Sequence, residues 1–234
     1  KLKNELDHAL ADLKAEHNNL SKSQDDLKSN HSSLKLDHEK LDELFSNSQH
    51  ARKVIASTAA TLKKSLEKLQ PVTHAGFGKA KVEKFASNRR LLGPDGKVLH
   101  VRFSKCTNPE VRALPEGVID PYVRLLSFWH DNKPLAILSY YATHPQSYYG
   151  RGGVNPDTVG IARQIRAKKI PEAVHIHFTG AGANVAAGKY NDGSKENRAI
   201  LARRLASGME SAWKTTRKTS LRPELIGWKT KSVV

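Results

Sequence analysis

The residue with the clearest chemical potential is a histidine that follows an apolar segment. It lies in the run Tyr140-Tyr141-Ala142-Thr143-His144-Pro145. Active sites of α/β proteins collect side chains just beyond the carboxyl ends of buried strands, and neutral imidazole is the commonest metal ligand among side chains. A histidine that only hydrogen-bonds the turn at Pro145 would fit the same position. From position alone, both interpretations of His144 stay open.

Two further histidines stand in alternation at His175-Ile176-His177. Side chains alternate across a strand, so both imidazoles would point to one face of a sheet. That spacing is compatible with two ligands of one metal ion. Structural histidines that hydrogen-bond their neighbours are the commoner outcome of this pattern.

A loop of small residues runs from Gly180 to Tyr190. It follows a predicted strand, which is the setting of a phosphate-binding loop. However, five residues separate Gly182 from Gly188-Lys189, and Tyr190 stands where a magnesium-binding Ser or Thr would be needed. These departures exclude a nucleotide site of that type. The loop predicts a close backbone approach, either to a ligand or to another part of the chain.

Charge is distributed unevenly along the 234 residues. Residues 1–70 carry 12 basic and 11 acidic side chains, whereas residues 71–234 carry 27 and 12. Such a basic excess suits phosphate or an anionic membrane surface, but no nucleic-acid motif accompanies it. We therefore expect no specific nucleic-acid partner, and peripheral contact with a membrane surface stays open beside plain solvated faces. The basic side chains cluster at Lys79, Lys81, Lys84, Arg89 and Arg90, and at Arg163, Arg166, Lys168 and Lys169.

The first seventy residues have a heptad pattern and contain no Gly or Pro. This pattern predicts a helix of about 100 Å at 1.5 Å per residue, with leucine at heptad position d and mostly polar residues at position a. A coiled coil, and hence a homo-oligomer, is the preferred interpretation. A single helix folded back on its neighbours or partly ordered is the alternative. The d positions are Leu6, Leu13, Leu20, Leu27, Leu34 and Leu41, and histidines stand at a positions 17, 31 and 38.

The remainder predicts an α/β domain with a mixed sheet and packed helices. Short runs rich in Val, Ile, Leu and aromatic residues predict strands, and a turn sequence at residues 131–134 predicts a hairpin. Two helices are predicted, from Asp157 to about Lys169 and from about Ser194 to Lys218, and the tail 221–234 holds a possible strand. The predicted strands are Lys97–Phe103, Tyr122–His130, Leu135–Thr143 and Ala173–Thr179.

Single sequence features also limit the function classes. One cysteine, Cys106, excludes an internal disulfide framework and a CxxC zinc site. No run of 18 apolar residues is present, which excludes a predicted membrane-spanning helix. The sequence itself leaves the compartment unknown.

Several short segments, read in order, resemble one known family. They are Asn88-Arg89-Arg90, the segment 116–121, Ala142-Thr143-His144, Asp157-x-x-Gly160-x-Ala162, and Gly182-x-Asn184-Val185 after a strand. In order and spacing they resemble the N-terminal catalytic domain of neutral/alkaline non-lysosomal ceramidases, particularly the planctomycete-type ceramidase-like proteins. The resemblance covers roughly residues 55–230. It divides the chain into a heptad-repeat helix, 1–53, and a partial ceramidase-like α/β domain, 54–234.

The resemblance implies a secreted or periplasmic zinc amidase that hydrolyses the N-acyl bond of ceramide. It implies one zinc ion with His144 as a ligand, Asp157 and Asn184 as catalytic residues, and Gly160 and Gly182 at the substrate, a lipid-like amide. Zinc would lower the pKa of bound water and polarise the amide carbonyl. Taken alone, Asp157 also fits a plain helix N-cap.

The chain departs from the family pattern at two places. The family's catalytic serine aligns on Ala186, and its His-x-His zinc motif falls where this chain has the heptad helix. One matched ligand is fewer than the three protein ligands that a catalytic zinc usually has. The leading hypothesis is therefore a ceramidase-like zinc-dependent amidohydrolase domain that is incomplete or inactive as this chain stands.

The alternative hypothesis is a non-catalytic binding module. In it, a coiled-coil stalk presents a basic α/β domain to an anionic surface or partner. Zinc content separates the two hypotheses, and so does salt dependence, because a purely electrostatic binder loses affinity steeply as salt rises.

Overall fold

The computed structural model describes residues 2–148, 150, 153–227 and 230. The chain divides into two compact units, residues 1–69 and residues 70–234. The first consists of one helix, α1 (Leu2–Leu66), in which every side chain described from residue 10 onward is exposed. The predicted long helix is confirmed. The boundary predicted at 53/54 falls inside it, and the assignment of residues 54–69 to a ceramidase-like domain stays a prediction.

The second unit, residues 70–234, is called the head. Its elements are β1 His74–Lys81, β2 Ser87–Asn88, β3 Arg90–Leu92, β4 Val98–Val101, α2 Pro109–Ala113, β5 Tyr122–His130, β6 Lys133–Tyr141, α3 Asp157–Lys169, β7 Val174–Thr179, β8 Val185–Ala186, α4 Lys195–Lys214 and β9 Arg217–Ser220. Five of the strands form one sheet in the order β7-β6-β5-β1-β9, with all neighbours antiparallel except the parallel pair β6 and β7. Strands β2 and β8, and strands β3 and β4, form two small separate sheets.

Helices α3 and α4 cover one face of the large sheet. Their apolar stripes meet the inward residues of β5 and β6 because side chains alternate along each strand. Leu201, Leu205 and Met209 of α4 lie in this core with Val123 and Ile137 of the sheet. The mixed α/β architecture with packed helices, preceded by a long N-terminal helix, is thus confirmed.

Three predicted elements need correction. The predicted strand Lys97–Phe103 shortens to β4, which pairs with β3 outside the large sheet. The last predicted helix ends at Lys214 rather than Lys218, and residues 217–220 form β9 instead. In the predicted terminal strand, Pro223–Leu225 is a 3-10 turn, and residues 228–229 and 231–234 lie outside the described residues.

Strand β1 was not predicted, although it lies between β5 and β9. Its sequence His-Ala-Gly-Phe-Gly-Lys-Ala-Lys contains two glycines that lower strand propensity. The structure supplies the reason for one of them: a Cβ on Gly78 would lie 2.1 Å from the carbonyl oxygen of Ala212 in α4. Gly78 therefore lets the helix lie directly on the strand.

No helix within the described residues combines the length and apolar character needed to cross a bilayer.

Candidate functional site

The fold brings together three segments that are far apart in sequence. The Arg89 N–H donates to the Asn184 carbonyl at 2.8 Å, and the His144 N–H donates to the Val185 carbonyl at 2.9 Å. Beside them, β2 pairs with β8 through Ser87 and Ala186. Residues 88–90, 144 and 184–185 therefore form one wall of a single site.

The closest side-chain contact in this wall joins Arg89 to His144. Arg89 Nη1 lies 3.0 Å from His144 Nε2 and 3.3 Å from the Ala183 carbonyl oxygen. A guanidinium has no acceptor and keeps its protons, so the imidazole accepts at Nε2. This hydrogen-bond partner assigns the proton of the neutral ring to Nδ1.

A cleft of about 500 Å³ opens beside this pair. Two of its lining residues, Arg89 and Lys105, are cationic, and none is acidic. Phe103 supplies an apolar wall, with the Arg89 guanidinium 5.2 Å from its ring centroid. This combination suits a ligand with an oxygen-rich or anionic head and an apolar body. The lining residues are Arg89, Phe103, Ser104, Lys105, His144 and Gln146.

Asn184 and Gly182 lie in the same wall. The Asn184 side chain accepts a hydrogen bond from Arg90 Nη1 at 3.0 Å. Gly182 is buried, and a Cβ there would lie 2.8 Å from the backbone carbon of Thr143. Both residues thus hold the segments of the wall together. The small-residue loop was predicted to approach either a ligand or another part of the chain closely, and at Gly182 it approaches the backbone of Thr143.

Asp157 and Gly160 lie together at the start of α3. The Asp157 carboxylate accepts from the N–H groups of Ser147 at 2.9 Å, Tyr148 at 3.3 Å and Thr158 at 2.6 Å, and from the Ser147 hydroxyl. Its φ of 45° is in the left-handed region, which Asp tolerates better than most residues. Gly160 packs on Pro156, where a Cβ would lie 2.3 Å from that ring. These contacts fix the segment that leads away from His144.

The two alternating histidines lie apart from this wall, on the helix-covered face of the sheet. His175 Nε2 contacts the Ile170 carbonyl at 3.1 Å, and His177 Nδ1 contacts the Ser139 hydroxyl at 2.8 Å. Burial, with a smaller contribution from the charge of nearby Arg163, lowers the pKa of His177 to about 4. Among the described residues, no group of three His, Cys, Asp or Glu side chains is placed to hold a metal ion.

One residue that matters for the site was missed by sequence reasoning. Arg102 is fully buried, and its guanidinium donates only to backbone carbonyls, among them Asn88 at 3.3 Å, Leu114 at 3.0 Å and Pro115 at 2.7 Å. It thereby fixes Asn88 next to Arg89. The sequence gives no signal for this residue. A buried arginine is normally paired with an acidic side chain, whereas the partners of Arg102 are backbone carbonyls, which every residue has.

The sequence marks Arg89 and Arg90 as part of a basic cluster and of one resembling segment, without predicting a role for either. Their place in the Asn88-Arg89-Arg90 segment was the available signal that they belong to a site. The structure shows that each contacts a residue of another resembling segment, His144 and Asn184 respectively.

Two solved structures are among those to which this chain has a distant likeness. Neutral ceramidase from Pseudomonas aeruginosa is similar at a TM-score of 0.48 and 16% identity, over 65% of this chain and 24% of that one. A ceramidase complexed with C2 is similar at 0.44 and 15%, over 62% and 22%. This chain therefore spans about a quarter of their length. No known family profile and no curated protein matches the sequence. Likeness at this level does not decide an activity, which has to be argued from the side chains.

Proposed function

We propose that the head is a ceramidase-like domain that binds the acyl end of a lipid-like amide in the cleft beside Arg89 and His144. The observation that carries the proposal is the convergence of residues 88–90, 144 and 182–185 on one wall. These are the segments on which the family resemblance depends, and nothing in their sequence separation requires them to meet.

The chemistry of the cleft agrees with binding of an acyl group. Arg89 retains N–H groups beyond those that contact His144 and Ala183, and a guanidinium donates well to an amide carbonyl or a carboxylate. Phe103 is 57% exposed and offers apolar surface for the first part of an acyl chain. Lys105 adds a second positive charge, which favours the carboxylate product over the neutral amide.

The described residues do not by themselves fit a tightly held zinc ion. His144 contributes one imidazole, its Nε2 is engaged by Arg89, and no carboxylate or second imidazole lines the cleft. Ala186, at the position of the family's serine, is buried in β8 and has no reactive group. For the complete hydrolase we propose zinc with His144 as one ligand, and further ligands from outside the described residues.

A second function is favoured by one specific observation, the two cations of the cleft without a carboxylate among its lining residues. An uncompensated pair of this kind binds carboxylates or phosphates without any reaction. In this version the head is a non-catalytic module that captures an anionic ligand.

The test is hydrolysis of a short-chain N-acyl sphingosine by the complete hydrolase, which supplies the zinc ligands that the described residues lack, with zinc supplied and with zinc removed by chelation. We expect turnover only with zinc, and we expect His144→Ala to abolish it. His130→Ala, an imidazole of β5 outside the cleft, is the matched control and should retain the wild-type rate. Zinc content by mass spectrometry should fall in His144→Ala and stay at the wild-type level in His130→Ala.

Hydrolysis and calorimetric titration with octanoate, taken together, separate the two functions. Failure of hydrolysis together with octanoate binding that Arg89→Met removes would leave the binding module. If there is no hydrolysis and no Arg89-dependent binding of octanoate, both functions are refuted for this cleft.

A further inference from the structure

The heptad helix α1 carries a stripe of leucines that its own unit does not cover. Leu13, Leu20, Leu27, Leu34 and Leu41 are each between 62% and 70% exposed. They recur at intervals of seven residues, so they lie along one side of the helix. Soluble proteins rarely leave a continuous apolar stripe of this length in water.

We propose that this stripe binds the same stripe of a second copy of the chain, in a parallel, in-register two-stranded coiled coil. A heptad seam specifies its partner, because each core side chain inserts between four residues of a facing heptad helix. In register, each leucine layer packs leucine on leucine, and each polar layer pairs with itself. An antiparallel arrangement would instead set most of the d leucines against a polar a residue such as His17, Gln24 or His31.

One layer of this coiled coil has an unusual charge. His38 is at position a, preceded by Asp37 at g and followed by Asp42 at e. His38 Nε2 lies 3.7 Å from Asp42 Oδ2, so the two side chains already share one side of the helix. In a parallel dimer, Asp37 of one copy faces Asp42 of the other. The layer therefore gathers two imidazoles and four carboxylates.

This His38 layer is built to hold a divalent cation. Four carboxylates around two imidazoles repel one another across the seam. Each copy has two nearby bases: Lys35 lies at the preceding e position, and Lys40 makes an exposed 3.6 Å contact with Asp37 that is worth little. Imidazole with carboxylate is a ligand set that zinc accepts in tetrahedral geometry. A single chain has too few ligands here, and two copies have enough.

The His31 layer provides an internal control. It has the same residue at the same heptad position, but its neighbours are Asn30 at g and Lys28 and Lys35 at e. No carboxylate flanks it, so it offers no comparable site. The two layers differ in their flanking charges and not in the imidazole.

The experiment is sedimentation equilibrium of the full chain at neutral pH, with zinc ions or with a chelator. We expect a two-chain species whose dissociation constant is at least about tenfold lower with zinc, one well-placed charge-compensating contact being worth about that factor. Asp37→Asn with Asp42→Asn should tighten the metal-free dimer and remove its response to zinc. His31→Gln should keep that response.

Orientation is tested by disulfide formation in a Cys106→Ser background. Gln24→Cys places a thiol at an a layer, where two parallel in-register copies bring the Cα atoms within disulfide range, and we expect rapid oxidation to a cross-linked dimer. Ser29→Cys, at the outward f position, should stay uncross-linked.

Three results would overturn the proposal. A monomer at all zinc concentrations would remove the coiled coil. A dimer that survives Leu27→Asn, expected to weaken association at least about a hundredfold by removing two buried leucines, would place the contact in the head. An unchanged zinc response in the double aspartate variant would remove the cation from the His38 layer.

Discussion

Leu20 of α1 and Leu205 of α4 are both leucines in the middle of long helices, yet Leu20 is 70% exposed and Leu205 is fully buried. The difference follows from what each helix packs on. Helix α4 lies on the head's own sheet, with its small residues Gly208 and Ala212 close to β1 and β5. Helix α1 has a seven-residue apolar repeat and no strand in its own unit to cover it.

This comparison teaches how period and burial go together. A narrow stripe repeated every seven residues suits another helix of the same kind, whereas the wider apolar face of α4 suits a sheet. The charge differs in parallel, with 12 basic and 11 acidic side chains up to residue 70 and 27 and 12 beyond it. One region exposes a narrow apolar stripe, and the other has a folded core with a cationic cleft.

The largest expected effect is on the packed core. Leu205→Ala should lower the free energy of unfolding of the head by about 4 kcal/mol, because it leaves a cavity in a closely packed site. Leu20→Ala should change it by less than about 0.5 kcal/mol. Tryptophan fluorescence during urea unfolding reports on the head alone, because all three tryptophans lie after residue 70. Equal losses in the two variants would break the comparison.

A smaller loss is expected at the buried guanidinium. Arg102→Met should lower the free energy of unfolding of the head by about 3 kcal/mol, since the carbonyls of Asn88, Leu114 and Pro115 lose a hydrogen-bond donor at a buried position. Arg217→Met, on the exposed strand β9, is the control and should stay within about 0.5 kcal/mol. A stable Arg102→Met variant would show that the segment 111–116 is held in another way.

The smallest of the three effects concerns acid. The pKa of His177 falls from its ordinary 6.5 to about 4 because the imidazole is buried, so the unfolded state binds the proton first. Its contribution to stability is full above about pH 6.5 and is lost as the pH falls towards 4, amounting to about 2 kcal/mol after allowance for partial contact with water.

Urea unfolding at neutral and at mildly acidic pH measures this loss. His177→Gln should reduce the difference between the two conditions, and His130→Gln, on the more exposed end of β5, should leave it as in the wild type. If His177→Gln loses as much unfolding free energy on acidification as the wild type, the loss comes from other titrating groups.

Much of the head could be predicted from local patterns. Strand β5 and helix α3 have the predicted bounds, because an alternating apolar run and a terminated amphipathic stretch are local signals. Strand β1 could not be predicted, since its Gly78 is explained by the approach of Ala212 in α4, more than a hundred residues later. The predicted helix ran into the first two residues of β9, because the segment 217–220 has no apolar residue to reveal its pairing with β1.

The site was predictable in part. His144 was identified from its place after a strand, and the structure puts it in the wall of a cleft with Asn184 nearby. Arg89 belongs to a basic cluster and to the segment Asn88-Arg89-Arg90, but its contact with His144 could not be predicted, because a contact across 55 residues leaves no periodic signal. Arg102 could not be found at all, since its partners are backbone carbonyls, which every residue has.

The pairing of β1 with β9 has a consequence for synthesis on the ribosome. His74 pairs with Ser220, so one edge of β1 stays without its neighbour until almost the whole head has been translated. During that interval the edge offers unpaired N–H and C=O groups to any other chain. Helix α1 needs only local contacts and forms within microseconds of emerging. If α1 forms the coiled coil proposed above, neighbouring nascent chains on a polysome pair through their finished helices while their heads are still open.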